Sequence, residues 1–169
     1  PTEVIIDDYL PCIIENNKVI PLFARVKGRE IWPLLAEKAW AKVCGNYVSA
    51  GIHLADDIFE YLLGTPTYRY FTNNQDENEM WRILSEASKD NHIVCAVARD
   101  QFYHHNGLEP SQSYTVISVH DEEGYKIVKL RNLWGKSEWT GDFSDLSPLW
   151  TPELREKVGI TKSDDGVFR

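Results

Sequence analysis

Hydrophobic residues recur with two different periods along this chain, and the change falls near residue 91. In the first part, residues 4–10 and 18–23 read as strands on either side of a turn at Glu15, Asn16 and Asn17. Residues 30–43 have helical spacing, with Ile31, Leu34, Leu35, Lys38 and Val43 around one face, and Gly45 supplies a stop. A short helix is predicted over 56–63, ended by Gly64-Thr65-Pro66, and a longer one from 74–76 to about residue 90. In the longer helix Met80, Ile83, Leu84 and Ala87 form the apolar stripe, and Glu77 and Glu79 sit where the helix dipole favours negative charge.

Beyond residue 91 the helical period gives way to alternation. Residues 93–98 are a continuous apolar run, 114–119 alternate, and 125–130 alternate lysines with apolar residues. The stretch Asp121-Glu122-Glu123-Gly124 reads as the hairpin turn between the last two, with Gly124 able to take a positive φ. The pattern predicts an α+β chain that is mostly antiparallel sheet after residue 91, with a division into two parts near Ala50-Gly51.

Composition narrows the function without choosing it. At 169 residues the chain is long enough to bury a sizeable core. A formal net charge of −8, with no dense basic stripe, speaks against a nucleic-acid partner. No apolar run approaches a membrane span, and the N-terminus lacks the pattern of a signal peptide. Three cysteines, Cys12, Cys44 and Cys95, lack metal-ligand spacing and read as small core hydrophobes in a reducing, cytoplasmic setting. The histidines, including the adjacent His104 and His105, show no spacing that converges on a metal, and that pair reads as a solvated loop.

Candidate chemistry enters with residues 129–139, KLRNLWGKSEW, in which Asn132 and Trp134 follow a predicted strand. This segment resembles the Asn-Pro-Trp-Gly turn that closes the active site of calpains, which are papain-like cysteine proteases, with Leu133 in place of the proline. The resemblance continues in Ile6-Asp7-Asp8-Tyr9-Leu10-Pro11, in the helix from Trp32 through Leu34-Leu35 to Lys42, in Gly45-Asn46-Tyr47, and in Trp139, Gly141, Trp150 and Asp165-Gly166. It implies a papain-like fold of calpain type. Residues 1–50 would be the end of the helical lobe, and 51–169 the second lobe, an antiparallel β-sandwich or barrel with flanking helices. It also makes packing the expected role of the tryptophans, with Trp32, Trp40 and Trp81 as core or lobe-interface anchors.

In that family Asn132 would orient the catalytic His and Trp134 would shield the bond between them. The His itself lies in a Gly-His-Ala-Tyr-Ser-Val strand, and the matching stretch here is Ser111-Gln112-Ser113-Tyr114-Thr115-Val116. Gln112 therefore stands at the His position. A neutral amide can hydrogen-bond but cannot take a thiol proton and return it to a leaving amine. The family's nucleophilic Cys belongs to a Gly-x-Cys-Trp motif upstream of residue 4, and no such motif occurs in this chain, which suggests excision from something longer.

The expectation is a pseudoprotease, a regulatory, binding or structural module of a larger protein or assembly, whose former substrate groove grips a protein or extended peptide. The alternative is a calcium-dependent cysteine endopeptidase with its nucleophile in an upstream lobe. The resemblance further implies a Ca²⁺ site held by Glu138, Asp145 and Asp165 with a carbonyl near Ser163. One family carboxylate is replaced by Val167, which would weaken that site.

Overall fold

The structure, a computed structural model, describes residues 3–26, 28–51, 53–98, 106–133, 138–160 and 167–168. Its contacts divide the chain into two compact units, Pro1–Thr65 and Pro66–Arg169. Among the described residues no helix is long and apolar enough to cross a membrane.

The first unit opens with a two-stranded hairpin, β1 (Cys12–Glu15) and β2 (Lys18–Pro21), in which Glu15 pairs with Lys18. The two-residue loop requires left-handed backbone at both positions, and Asn16 and Asn17 take it at φ 49° and 59°. Asparagine tolerates this region better than most residues. The strand expected over 4–10 is not formed. That segment runs irregularly, and its carbonyls are met by lysines instead of a ladder. Lys42 Nζ donates to the Ile5 carbonyl at 2.6 Å, and Lys38 Nζ donates to the carbonyls of Asp7 and Tyr9. Lys38 also bonds the Asp7 side chain, which holds that carboxyl below its ordinary range. Cys12, expected as a core residue, is exposed at the start of β1.

Helix α1 (Trp32–Val43) places Pro33 in its first turn, where a missing N–H costs nothing. Its buried residues are Leu34, Trp40 and Ala41, whereas Ile31 and Val43 are exposed. The predicted face was misplaced at both ends. Ile31 lies before the helix, and Val43 is roughly half a turn round from Leu34 at 3.6 residues per turn. Trp32, expected as a packing anchor, is 67% exposed. Trp40 does serve as one. It donates from Nε1 to Ala50 O at 3.3 Å and packs edge-on against His53. Gly45 ends α1 at φ 92°, and α2 (Tyr47–Ala50) follows, capped by the Asn46 side chain. Helix α3 (Ala55–Leu63) stops at Gly64, φ 64°.

In the second unit a 3-10 turn (Thr72–Asn74) precedes α4 (Glu77–Lys89), which is capped by the Asp76 carboxylate accepting from Asn78 N and Glu79 N. A four-stranded antiparallel sheet follows in the order β3 (Val94–Ala98), β4 (Gln112–Glu122), β5 (Tyr125–Asn132), β6 (Val167–Phe168). The β4–β5 turn is Glu123-Gly124, both at positive φ, and Lys157 braces it through Glu122 and Glu123. A bulge at Ile117 shifts the β4–β5 register and exposes that side chain, which is why the sequence alternation is imperfect there.

Helix α5 (Pro152–Val158) was not anticipated from the sequence. Its signals are local and short: Thr151 accepts from Leu154 N at 3.0 Å as the cap, Pro152 follows, and Gly159 closes it at φ 67°. Leu154, 0% exposed, centres a core with Ile127, Trp150 and Val158, packed by Phe143 and Ile160. Trp150 adds a hydrogen bond from Nε1 to Ser144 O at 2.8 Å.

Candidate active site

Gln112 is the first residue of β4 and Asn132 the last of β5, so both stand at the same end of the antiparallel pair. Asn132 lies opposite Tyr114 in the register, and Gln112 and Tyr114, two apart on β4, point to one face. The side chains meet: Gln112 Nε2 donates to Asn132 Oδ1 at 2.6 Å. Asn132 is 2% exposed, and a buried amide left unpaired would cost about 1–3 kcal/mol. Gln112 offers both a donor and an acceptor, so it meets the carbonyl oxygen of Asn132 without carrying charge.

The approach to Gln112 is shaped by the backbone just before it. Ser111 lies in the left-handed region at φ 57°, and Glu109 N donates to the Tyr114 hydroxyl at 2.8 Å. Tyr114, 2% exposed, thus ties the preceding loop to the sheet beneath the amide pair. The position of Ser111 matches a glycine in the resemblance drawn from sequence, and the left-handed backbone supplies the physical reason for glycine there. Sequence reasoning singled out neither Ser111 nor the Tyr114 hydroxyl. Asn106-Gly107, a turn dipeptide shortly before the strand, was the available signal of a folded corner.

The other expected site residues are distributed as follows. Trp134 and Asp165 lie outside the described residues, as do His104, His105, Ser163 and Asp164. Leu133, after Asn132, is exposed. Glu138 and Asp145 are half-buried in the loops that follow β5. Among the described residues no three His, Cys, Asp or Glu side chains gather as a metal site. Val167, where the resemblance implies a family carboxylate, is buried in β6 and supplies no oxygen. Arg155 already donates to the Asp145 main-chain carbonyl at 3.1 Å. Of the described histidines, His120 Nε2 lies 2.9 Å from Ser118 Oγ farther along β4, and His53 packs on Trp40 in the first unit.

Chemically, the pair of side-chain amides can orient, donate and accept. It has no group that changes protonation near neutral pH.

The helices and antiparallel sheet are consistent with the fold of the family that the sequence comparison identifies. The model of the calpain family of cysteine proteases matches residues 1–169. The chain belongs to that family. It is 27% identical to the calpain-type cysteine protease DEK1 of Zea mays, over 98% of this chain and 8% of the maize protein. It is 28% identical to calpain-5 of Mus musculus, over 98% of this chain and 30% of the mouse protein. It is 30% identical to calpain-12 of Homo sapiens, over 98% of this chain and 24% of the human protein. The chain therefore spans less than a third of the length of each of these relatives.

Ser111 generates a direct prediction. A non-glycine residue in the left-handed region costs about 1–2 kcal/mol, part of which is returned because glycine gains more freedom on unfolding. Ser111→Gly is expected to raise stability by about 1 kcal/mol in urea denaturation. A loss of stability would show that the serine side chain supports the corner it strains.

Proposed function

We propose that this chain is a calpain-type domain without peptidase activity that serves as a binding or regulatory module of a larger cytoplasmic protein. The observation that carries the reading is the 2.6 Å bond from Gln112 to Asn132. In the family resemblance Asn132 holds the imidazole that deprotonates the thiol. Here the group held is an amide. Cysteine-protease chemistry needs that base twice, first to form the thiolate and then to protonate the departing amine. General acid–base assistance is worth about 10² to 10⁴-fold, and members of a catalytic set lose most of their joint effect when one is removed. What the amide pair retains is the capacity to position a bound segment by hydrogen bonds. We take its occupant to be an extended peptide of a partner protein, in the groove that would hold substrate.

The test uses the native protein purified from its source. Casein should remain uncleaved at millimolar Ca²⁺, and a partner that co-purifies with the native protein should be lost on Gln112→Arg, which places a bulky charge at the site. Cleavage of casein that disappears on Asn132→Ala would overturn the reading in favour of a calcium-dependent endopeptidase.

Calcium belongs to this proposal only as a weak site on Glu138, Asp145 and Asp165. Ca²⁺ takes six to eight oxygens, and the burial of Val167 leaves the set one carboxylate short. A calorimetric titration is expected to give a dissociation constant of about 0.1–1 mM, abolished by Glu138→Gln. Micromolar affinity would contradict the weakened site.

A further inference from the structure

We infer that the Asn106-Gly107 corner and the loop formed by residues 138–142 make a clasp that positions Gln112 against Asn132. What the pair does rests on the function proposed above, but the clasp itself stands on geometry alone.

Gln112 and Asn132 sit at strand ends, where ladders open most readily. Each strand end nevertheless leads, within a few residues, to the same contact. Four residues separate Gly107 from Gln112, and five separate Asn132 from Glu138. At the contact, Thr140 N donates to Asn106 O at 2.8 Å. Gly107, at φ 86°, brings its backbone so close to Glu138 that an added Cβ would lie 2.0 Å from the Glu138 carbonyl oxygen. Gly141 closes the other side: a Cβ there would lie 2.4 Å from the Trp139 ring and 2.8 Å from Asn106 Nδ2. Trp139 is itself fixed by a bond from Nε1 to Asp142 O at 2.6 Å.

Gly107 is thus required for close approach of its backbone to the other loop, and Gly141 for packing between the Trp139 ring of its own loop and the Asn106 side chain. The consequence reaches the pair through the chain. On one side the clasp leads through Glu109, which is bonded to the Tyr114 hydroxyl, and through the left-handed Ser111 into Gln112. On the other, the loop at residues 138–142 follows Asn132 in the sequence. With the entry to Gln112 held, the two side chains stay within hydrogen-bond reach at the end of the β4–β5 pairing, where Gln112 also pairs with Ala98 of β3. Gly107 and Gly141 are positioning residues in this account.

The experiment follows side-chain amide exchange of Gln112 and Asn132 by NMR in the 169-residue chain, with an internal control for backbone strain. Gly124, at the far end of the same hairpin, has φ 85° but nothing within 4 Å of an added Cβ. Gly124→Ala therefore imposes the same conformational strain without a collision. Gly107→Ala is expected to speed exchange of the Gln112 amide roughly tenfold, while Gly124→Ala leaves it unchanged and backbone amides at Val119 and Val128 stay protected in both. If Gly107→Ala fails to fold, Gly141→Ala is compared with the unsubstituted chain, because Gly141 does not share the positive φ of Gly124; unchanged exchange of the Gln112 amide there would likewise overturn the inference. Equal exchange in the clasp variant and in Gly124→Ala would overturn the inference. Casein cleavage by the native protein would sink the functional reading and leave this result intact.

Discussion

The structure around the candidate site depends on one hydrogen bond between two neutral amides, donated by Gln112 and accepted by Asn132. Asn132 is nearly inaccessible to water, so its carbonyl oxygen must find a donor within the protein. An imidazole and a glutamine amide can both supply one. They differ in what else they can do, because only the imidazole changes protonation near neutral pH. In the function proposed above, the glutamine amide keeps the hydrogen bond to Asn132 and brings no proton chemistry of its own.

That bond is held by features that act at different ranges. The β4–β5 hairpin brings Gln112 and Asn132 to one end through its Glu123-Gly124 turn and its register. The Ile117 bulge moves one side chain out of step, so residues before and after it face differently. Helix α5 packs Leu154 and Val158 against Ile127 and Trp150, giving the hairpin a buried back. Lys157 then ties α5 to the hairpin turn. The site end of the hairpin is ordered by pairing of Gln112 with Ala98 and of Asn132 with Tyr114, by the Tyr114 hydroxyl and by the close backbone contact at Gly107.

Much of this was legible in the sequence because it rests on local chemistry. Gly45, Gly64, Gly124 and the Asn16-Asn17 turn announce their positive φ, and the period of α4 and the alternation of β5 follow directly from burial on one face. The failures have physical causes too. The segment formed by residues 4–10 is as apolar as a strand, but lysine side chains on α1 meet its carbonyls. Val43 fits a helical period and lies on the wrong side of it. Helix α5 spans too few turns to show a period, so only its cap and stop marked it. At the site, residue identities pointed to Gln112 and Asn132. The left-handed Ser111 and the approach of Gly107 to Glu138 depend on where distant segments meet, which no local pattern carries.

The proposed function turns on a neutral group, the Gln112 amide, being the donor to Asn132. The measurement that bears on it most directly is an NMR pH titration of the Gln112 and Asn132 side-chain amide signals between about pH 5 and 8, the range in which an imidazole titrates. The account predicts that both sets of signals hold their positions throughout. A shared transition with a midpoint near the ordinary imidazole value would mean that a histidine reaches the site and would contradict it.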